Sequence, residues 1–328
     1  MIKIFTKIKL IFIIILFISS CSLQKTISDK DFILEKTNIK IDGKSIQKDS
    51  LKSMITFKEN SKFLGIPVNA LISSTAVENP DSLFKKWISK ENKEKKLLNI
   101  FSKKQLIQIN KYFNNFNDWK KINGEKINLI DSSEIKKSIE NINIYFKNIG
   151  YLENSVSFSI NEKSFKKASV DLNVEQGPQY YIGKISSKIE SRIIDSIYKS
   201  NKFHSFLKEN ESFATKNFDL ERNRLYNLFR NNGIYGFQIN SIVFSVMIDS
   251  IRNNYSLPVD IIINGNDYNI SKIEEINLTE SNNETKFRFN NDFIESKIKF
   301  KKNSIFNDSL RRSTLKALNS LDLFNFPS

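Results

Sequence analysis

Val170-Asp-Leu-Asn-Val-Glu-Gln-Gly-Pro-Gln-Tyr-Tyr-Ile-Gly-Lys-Ile185 and Val259-Asp-Ile-Ile-Ile-Asn-Gly-Asn-Asp-Tyr-Asn-Ile-Ser-Lys-Ile273 read as two copies of one joint. Each holds an alternating apolar strand, a glycine turn at Gly177 or Gly265, a tyrosine, and a second strand ending in Lys-Ile. Alternation of Val170, Leu172 and Val174, and of Val259, Ile261 and Ile263, predicts half-buried strands. The shared order of features marks an internal repeat.

Working outward, the same elements precede each joint. Ile135, Ile139, Ile142, Phe146 and Ile149 step by four, three, four and three, which predicts one buried helix face. Asp131 with Glu134 resembles a capping box, and Gly150 suits the helix stop. Val156, Phe158 and Ile160 then alternate as a strand. In the second copy, helices are predicted near Arg192–Ser200 and Asn217–Asn232, the latter ending at Gly233, and Ile242, Phe244, Val246 and Ile248 alternate. The unit is therefore strand, helices, strand, strand, each unit's last strand leading into the next unit's first. First strands are expected at Ile33–Ile41, Tyr180–Ile189 and Tyr268–Leu278. The divisions are 32–177, 178–266 and 267–328. The last has one strand, a helix near Leu310–Leu321 and then the chain end, so it reads as incomplete and is expected to be mobile. The first unit is too long. Its excess, about 79–124, is polar and Lys-rich and holds both tryptophans, Trp87 and Trp119. It reads as a helical insertion carrying Leu83, Phe84 and Trp87, then Leu97, Leu98 and Phe101, then Leu106, Ile109 and Phe113.

Composition narrows the function. The chain has 328 residues, 51 Lys+Arg against 36 Asp+Glu, a net charge of +15, one Cys and one His. One Cys excludes an intrachain disulfide framework, and one Cys with one His excludes a zinc site of several such ligands. The lysines recur along the whole chain without a basic block, which argues against nucleic acid as partner.

The first residues read as an address. Lys3, Lys7 and Lys9 precede the apolar run Leu10–Ile18, which is shorter than the about 20 residues of a membrane span. Ser19, Ser20 and Cys21 follow. This resembles a bacterial lipobox and implies a signal peptide over 1–20, cleavage before Cys21, acylation of Cys21 (palmitate or a similar chain) and a polar tether over 21–31. The tether lacks an acidic run, which favours the periplasmic side.

Three features carry a wider resemblance: the helix ends Phe146-Lys-Asn-Ile-Gly-Tyr151 and Phe229-Arg-Asn-Asn-Gly-Ile-Tyr235, the paired strands after them, and the turn Glu175-Gln-Gly-Pro178 before Tyr181-Ile182. Together they resemble the POTRA domain, the periplasmic module of the BamA/TamA family of outer-membrane proteins. The stretch Asn79-Pro-Asp-Ser-Leu-Phe-Lys-Lys-Trp87 and the helix Asp219–Asn232 resemble a lipoprotein-tethered branch of Bacteroidetes type. The resemblance implies an α+β fold of tandem POTRA-like units, each a small mixed sheet with helices on one face. No segment supplies a transmembrane barrel, so the chain reads as a truncated relative. The implied function is outer-membrane protein assembly or translocation at the periplasmic face of the outer membrane. Binding would be by strand addition at Val156, Phe158 and Ile160, or at Ile242, Phe244 and Val246. Implied partners are outer-membrane β-barrel clients or assembly-machinery proteins, and the membrane through the N-terminal lipid.

No enzyme constellation, cofactor motif or metal motif appears. His204 reads as a surface or packing residue, and Glu274-Glu275 as solvated charges. Trp87 and Trp119 read as packing residues of the insertion. The alternative function, a scaffolding envelope lipoprotein that binds a protein partner through that insertion, stays open.

Overall fold

A computed structural model of the chain describes residues 27–28, 31–45, 49–63, 67–90, 93–163, 166–248, 255–277 and 291–321. Residues 1–20, read as a signal peptide, and Cys21 lie outside them. The chain divides into two compact units. Unit 1 comprises residues up to Ile144 with Asn154–Gln176, and unit 2 comprises Tyr145–Glu153 with the residues from Gly177 onward.

Unit 1 contains β1 (Ile33–Ile41), β2 (Lys44–Ser45), α1 (Asp49–Lys52), α2 (Val68–Ser74), α3 (Pro80–Ile88), α4 (Lys93–Leu98), α5 (Lys103–Asn123), β3 (Ser155–Lys163) and β4 (Lys167–Glu175). Helix α6 (Ser132–Asn148) starts in this unit. The sheet order is β2-β1-β4-β3. β1 runs parallel to β4, with Ile39 opposite Leu172 and Ile41 opposite Val174. β3 runs antiparallel to β4, with Phe158 opposite Leu172 and Ile160 opposite Val170. Period-2 geometry therefore gathers Ile39, Ile41, Val170, Leu172 and Val174, all buried, on one face. The other face carries Asn38, Lys40, Asp171 and Asn173. Helix α6 adds Ile135 and Ile142 to the core, both essentially inaccessible. The segment after α1 is held to α6 by Thr56, whose N–H donates to Ser138 Oγ at 3.0 Å and whose hydroxyl donates to the Glu134 carbonyl at 3.0 Å. Ile149, expected on the buried face, is instead 36% exposed, because α6 ends at Asn148 and the chain leaves the helical path there.

Unit 2 contains β5 (Tyr181–Ile189), α7 (Arg192–Ser200), α8 (Thr215–Asn231), β6 (Ile242–Val246), β7 (Ser256–Ile263), α9 (Asn291–Glu295) and α10 (Asp308–Asn319). Its sheet has the order β5-β7-β6, with β5 parallel and β6 antiparallel to β7. Val259, Ile261 and Ile263 of the central strand pack in one core with Ile194 and Tyr198 of α7 and Phe218, Leu225 and Phe229 of α8. β6 ends at Val246, so Met247 and Ile248, read as the continuing strand, are exposed beyond it.

The two units repeat each other in detail. After α6 the Tyr151 N–H donates to the Phe146 carbonyl, and after α8 the Ile234 N–H donates to the Phe229 carbonyl. Gly150 and Gly233 sit between them at φ +96° and +95°, the left-handed residue such a helix stop requires. On the polar face of sheet 1, Asp171 accepts from Asn38 at 2.8 Å and Lys40 at 2.6 Å. On that of sheet 2, Asp260 accepts from Ser186 and from Lys188 at 2.7 Å. Hydrogen bonds from Asn38 and Lys40 hold the Asp171 carboxyl below its ordinary value against the opposing effect of burial. Order, mixed sheets and helix placement are those of tandem POTRA-like units, and the described strands form two open sheets.

Before the segment read as a helical insertion lies α2, which packs with α5. That helix has only seven residues and two buried side chains, Ala70 and Leu71, too few to show a period. The insertion is closed by side-chain amides. Asn117, 2% exposed, accepts from the Val77 N–H and donates to the Val77 carbonyl, both at 2.8 Å. Asn60 clamps Lys126 and Asn128 in the same way.

No strand forms over the described part of 268–278. A single antiparallel bridge joins Lys272 to Ile305. Within the described residues of this region, α10 docks on α8. Asp308 at the start of α10 is 3% exposed and receives Arg230 at 2.9 Å, Arg311 at 3.1 Å and Arg312 at 3.3 Å. The Arg230 guanidinium also lies 5.4 to 5.6 Å from the rings of Tyr226, Tyr235 and Phe306. Asn307 donates to the Asn231 carbonyl at 3.0 Å, and Ile294 and Phe306 are buried. A polar anchor thus supplements apolar area that one helix alone could not provide.

Two outcomes follow for stability. Ile142→Asp should cost about 3–5 kcal/mol by burying an unpaired charge; a melting midpoint within about 2 °C of wild type would contradict this. For Asp308, burial pushes the carboxyl up, but hydrogen bonds from Arg230 and Arg311 outweigh it and hold the group below its ordinary value. A depressed folded-state value gives stability that is full above about pH 4 and is lost as pH falls through the folded value. The melting gap between wild type and Asp308→Asn should therefore be present at neutral pH and narrow below about pH 4. A gap independent of pH would show that the ion cluster contributes nothing.

Candidate functional site

A sheet whose outer strands lack neighbours offers backbone donors and acceptors to another chain. The two sheets have four edges, and the structure treats them differently. Beside β1, the turn at Asp42 and Gly43, both at positive φ, folds β2 back so that Lys40 faces Ser45 and Ile41 faces Lys44. Further along, the Thr37 N–H donates to Glu59 Oε1 at 2.7 Å and Lys62 donates to the Glu35 carbonyl. This edge is covered. Beside β5, the segment 209–213 does the same. The Ile182 N–H donates to the Glu211 carbonyl at 2.8 Å, the Asn210 N–H to the Ile182 carbonyl at 2.7 Å, and the Phe213 N–H to the Tyr180 carbonyl at 2.9 Å. The Ile185 N–H finds Glu209 Oε1 at 2.9 Å.

The remaining edges are β3 and β6, the strands that carry the six candidate residues. β3 has nine residues, all paired to β4 on one side, and among the described residues nothing pairs with the other side. Val156 is half-buried, whereas Phe158 and Ile160 are 39% and 38% exposed although their cross-strand partners Leu172 and Val170 are inaccessible. Ser155–Asn161 holds no charge, proline or bulge, the devices that normally protect an edge. Glu162 and Lys163 lie only at its end, and Lys163 pairs with Glu35 at 2.7 Å.

β6 differs. It has five residues, Ile242 is buried, and Phe244 meets Phe218 edge-on at 5.4 Å within the unit 2 core. The Arg222 guanidinium stands 5.2 Å from the Phe244 ring. Val246 is half-buried. Ile242 and Phe244 of β6 are thus engaged in packing, whereas Phe158 and Ile160 of β3 are available.

Other predicted features separate as follows. His204 is exposed, 3.8 Å ring to ring from Phe203. Glu274 and Glu275 are exposed. Trp87 on α3 and Trp119 on α5, expected to pack inside the insertion, are 48% and 47% exposed; on α5 it is Asn117 that turns inward. A second apolar stripe on α5, Ile109, Tyr112, Phe116 and Trp119, carries the signal that the inward reading of Leu106, Ile109 and Phe113 passes over. Among the described residues, no group of three or more His, Cys, Asp or Glu is placed to hold a metal, and no helix is long and apolar enough to cross a membrane.

No family model and no curated protein matches the chain. Among solved structures, the chain is similar to the crystal structure of Haemophilus influenzae BamA POTRA3-5, at 11% identity and a TM-score of 0.36, over 91% of this chain and 90% of that one. It is similar to POTRA1-3 of the periplasmic domain of Omp85 from Anabaena, at 9% identity and a TM-score of 0.27, over 91% and 88%. It is also similar to BamA from Haemophilus ducreyi lacking POTRA domains 1-3, at 16% identity and a TM-score of 0.28, over 43% of this chain and 25% of that one.

Proposed function

We propose that this chain is a lipid-anchored periplasmic protein of outer-membrane protein assembly that holds strands of clients or partner proteins by backbone pairing at the free edge of β3. The reading is non-enzymatic. One observation carries it: the edges beside β1 and β5 are covered, whereas β3 presents nine residues with an uncharged stretch over Ser155–Asn161. A strand added there continues the sheet. Its alternate residues would lie beside Phe158 and Ile160 on one face and beside Ser157 and Ser159 on the other. Strands of outer-membrane barrels alternate apolar and polar with that same period, so they fit without a sequence-specific pocket. Main-chain hydrogen bonds contribute about 0.5–1.5 kcal/mol each in net terms, which gives reversible holding rather than capture. Acyl chains on Cys21 would keep the edge close to the membrane where such strands are inserted.

A scaffold role for the insertion is the second reading, favoured by the half-exposed Trp87 and Trp119.

The edge is tested with a fluorescent ten-residue peptide of barrel-strand pattern. Phe158→Lys with Ile160→Lys should weaken binding at least about tenfold, or about 1.4 kcal/mol, while Val243→Lys on β6 should leave it unchanged. Equal loss in both variants, or none in the first, contradicts the reading. The anchor is tested separately. Mass spectrometry of membrane-bound protein should find Cys21 acylated at the mature N-terminus, and Cys21→Ala should abolish that processing. An unmodified Cys21 in membrane-bound protein contradicts it.

A further inference from the structure

We propose that the outward face of the insertion binds an anionic phospholipid surface. Helix α5 is amphipathic in the reverse of the usual sense. Its inner side is partly polar, with Asn117 clamped on Val77 and the Asn110 amide nitrogen donating to Asp81 at 2.7 Å. Its outer side carries Ile109, Tyr112, Phe116 and Trp119, spaced three, four and three apart and 37%, 64%, 57% and 47% exposed. At about 100° per residue they form a stripe about 80° wide. Phe113 lies about 40–60° further round the helix. It extends the surface to α3, where its ring stands 6.0 Å from Phe84, itself 5.8 Å from Trp87. Leu83, Phe84, Trp87 and Phe113 border an open groove of about 630 Å³. Scattered exposed apolar residues need no explanation, but a continuous aromatic surface marks a contact.

Charge selects the occupant. Counted by segment, the lysines are less evenly spread than their recurrence along the chain suggests. Residues 79–124 hold eleven lysines against four acidic residues, a net +7 out of the chain's +15. Lys104 and Lys111 lie on one side of the α5 stripe and Lys120 on the other, with Lys120 Nζ 5.1 Å from the Phe116 ring. Lys93 Nζ stands 5.6 Å from the Trp87 ring. Aromatic side chains flanked by lysines whose stems are apolar and whose heads are charged match the headgroup boundary of a bilayer, and the net charge favours anionic lipid. A second copy would set two such positive faces against each other, which like-charge repulsion opposes. The contact would add to the acyl anchor proposed above, but it rests on different residues and is tested apart from it.

Trp87 and Trp119 are the only tryptophans, so fluorescence reports this face alone. The full-length protein is mixed with vesicles of phosphatidylcholine, or of phosphatidylcholine with phosphatidylglycerol, each with and without brominated chains. Binding should be at least about tenfold tighter to the anionic vesicles, the worth of one or two surface lysines, and brominated lipid should quench the tryptophans. Tyr112→Ser with Phe116→Ser should abolish quenching at unchanged circular dichroism. Lys104→Glu with Lys111→Glu, both exposed, should remove the preference for anionic lipid. Flotation with vesicles without quenching overturns the inference and leaves the anchor standing. Quenching of a Cys21→Ala chain, which carries no acyl group, supports the inference and leaves the anchor to its own test. A face that ignores both vesicle types but binds polyglutamate marks an acidic protein partner and overturns the inference.

Discussion

In each unit the first strand and the last strand are parallel neighbours, and the rest of the structure depends on that pairing. Parallel strands cannot be joined by a tight hairpin, so the chain between them must cross over one face of the sheet. In unit 1 the crossover contains α1, the insertion and α6; in unit 2 it contains α7 and α8. Leu51 of α1 and Ile135 and Ile142 of α6 are buried in unit 1, and α7 and α8 pack on the apolar face of the sheet in unit 2. The middle strand then has one place left, antiparallel on the far side of the last strand. β3 and β6 are therefore edge strands by topology, and a free edge follows from how the unit closes.

The repeated polar contacts fix that pairing. Asp171 reaches Asn38 and Lys40, and Asp260 reaches Ser186 and Lys188, so each central strand is tied to its parallel neighbour at matching positions. A register slip by one residue would break these bonds and turn Val170 and Leu172, or Val259 and Ile261, to the polar face. The units then differ at that edge. Phe244 of β6 packs against the unit 2 core, whereas Phe158 and Ile160 of β3 are 39% and 38% exposed.

Legibility in the sequence followed the physics. β1, α7 and the repeated joint could be read because period and glycine stops are local signals. Asp171 and Asp260 stood in the repeated Val-Asp pair, but their lysine partners come from distant strands, so the contacts could not be read. α2 was too short to show a period. Ile149 was misplaced because a helical wheel does not know where the helix ends. The docking of α10 was hidden because it rests on Arg230 and Asp308, which are 78 residues apart and not apolar. The insertion misled most. Its inward asparagines and outward aromatics reverse the rule by which apolar residues are assigned to a core.

The central claim is that closure of unit 1 leaves the outer side of β3 to another strand. Residue-resolved hydrogen exchange on the full chain, with and without a peptide of barrel-strand pattern, tests it directly. The expected result is fast exchange at alternate amides of Val156–Asn161 in the free protein, those facing away from β4. The peptide should slow exchange at those same amides while β4 stays unchanged. Peptide binding that leaves every β3 amide exchanging as before, or slow exchange at all of them without peptide, would contradict the account.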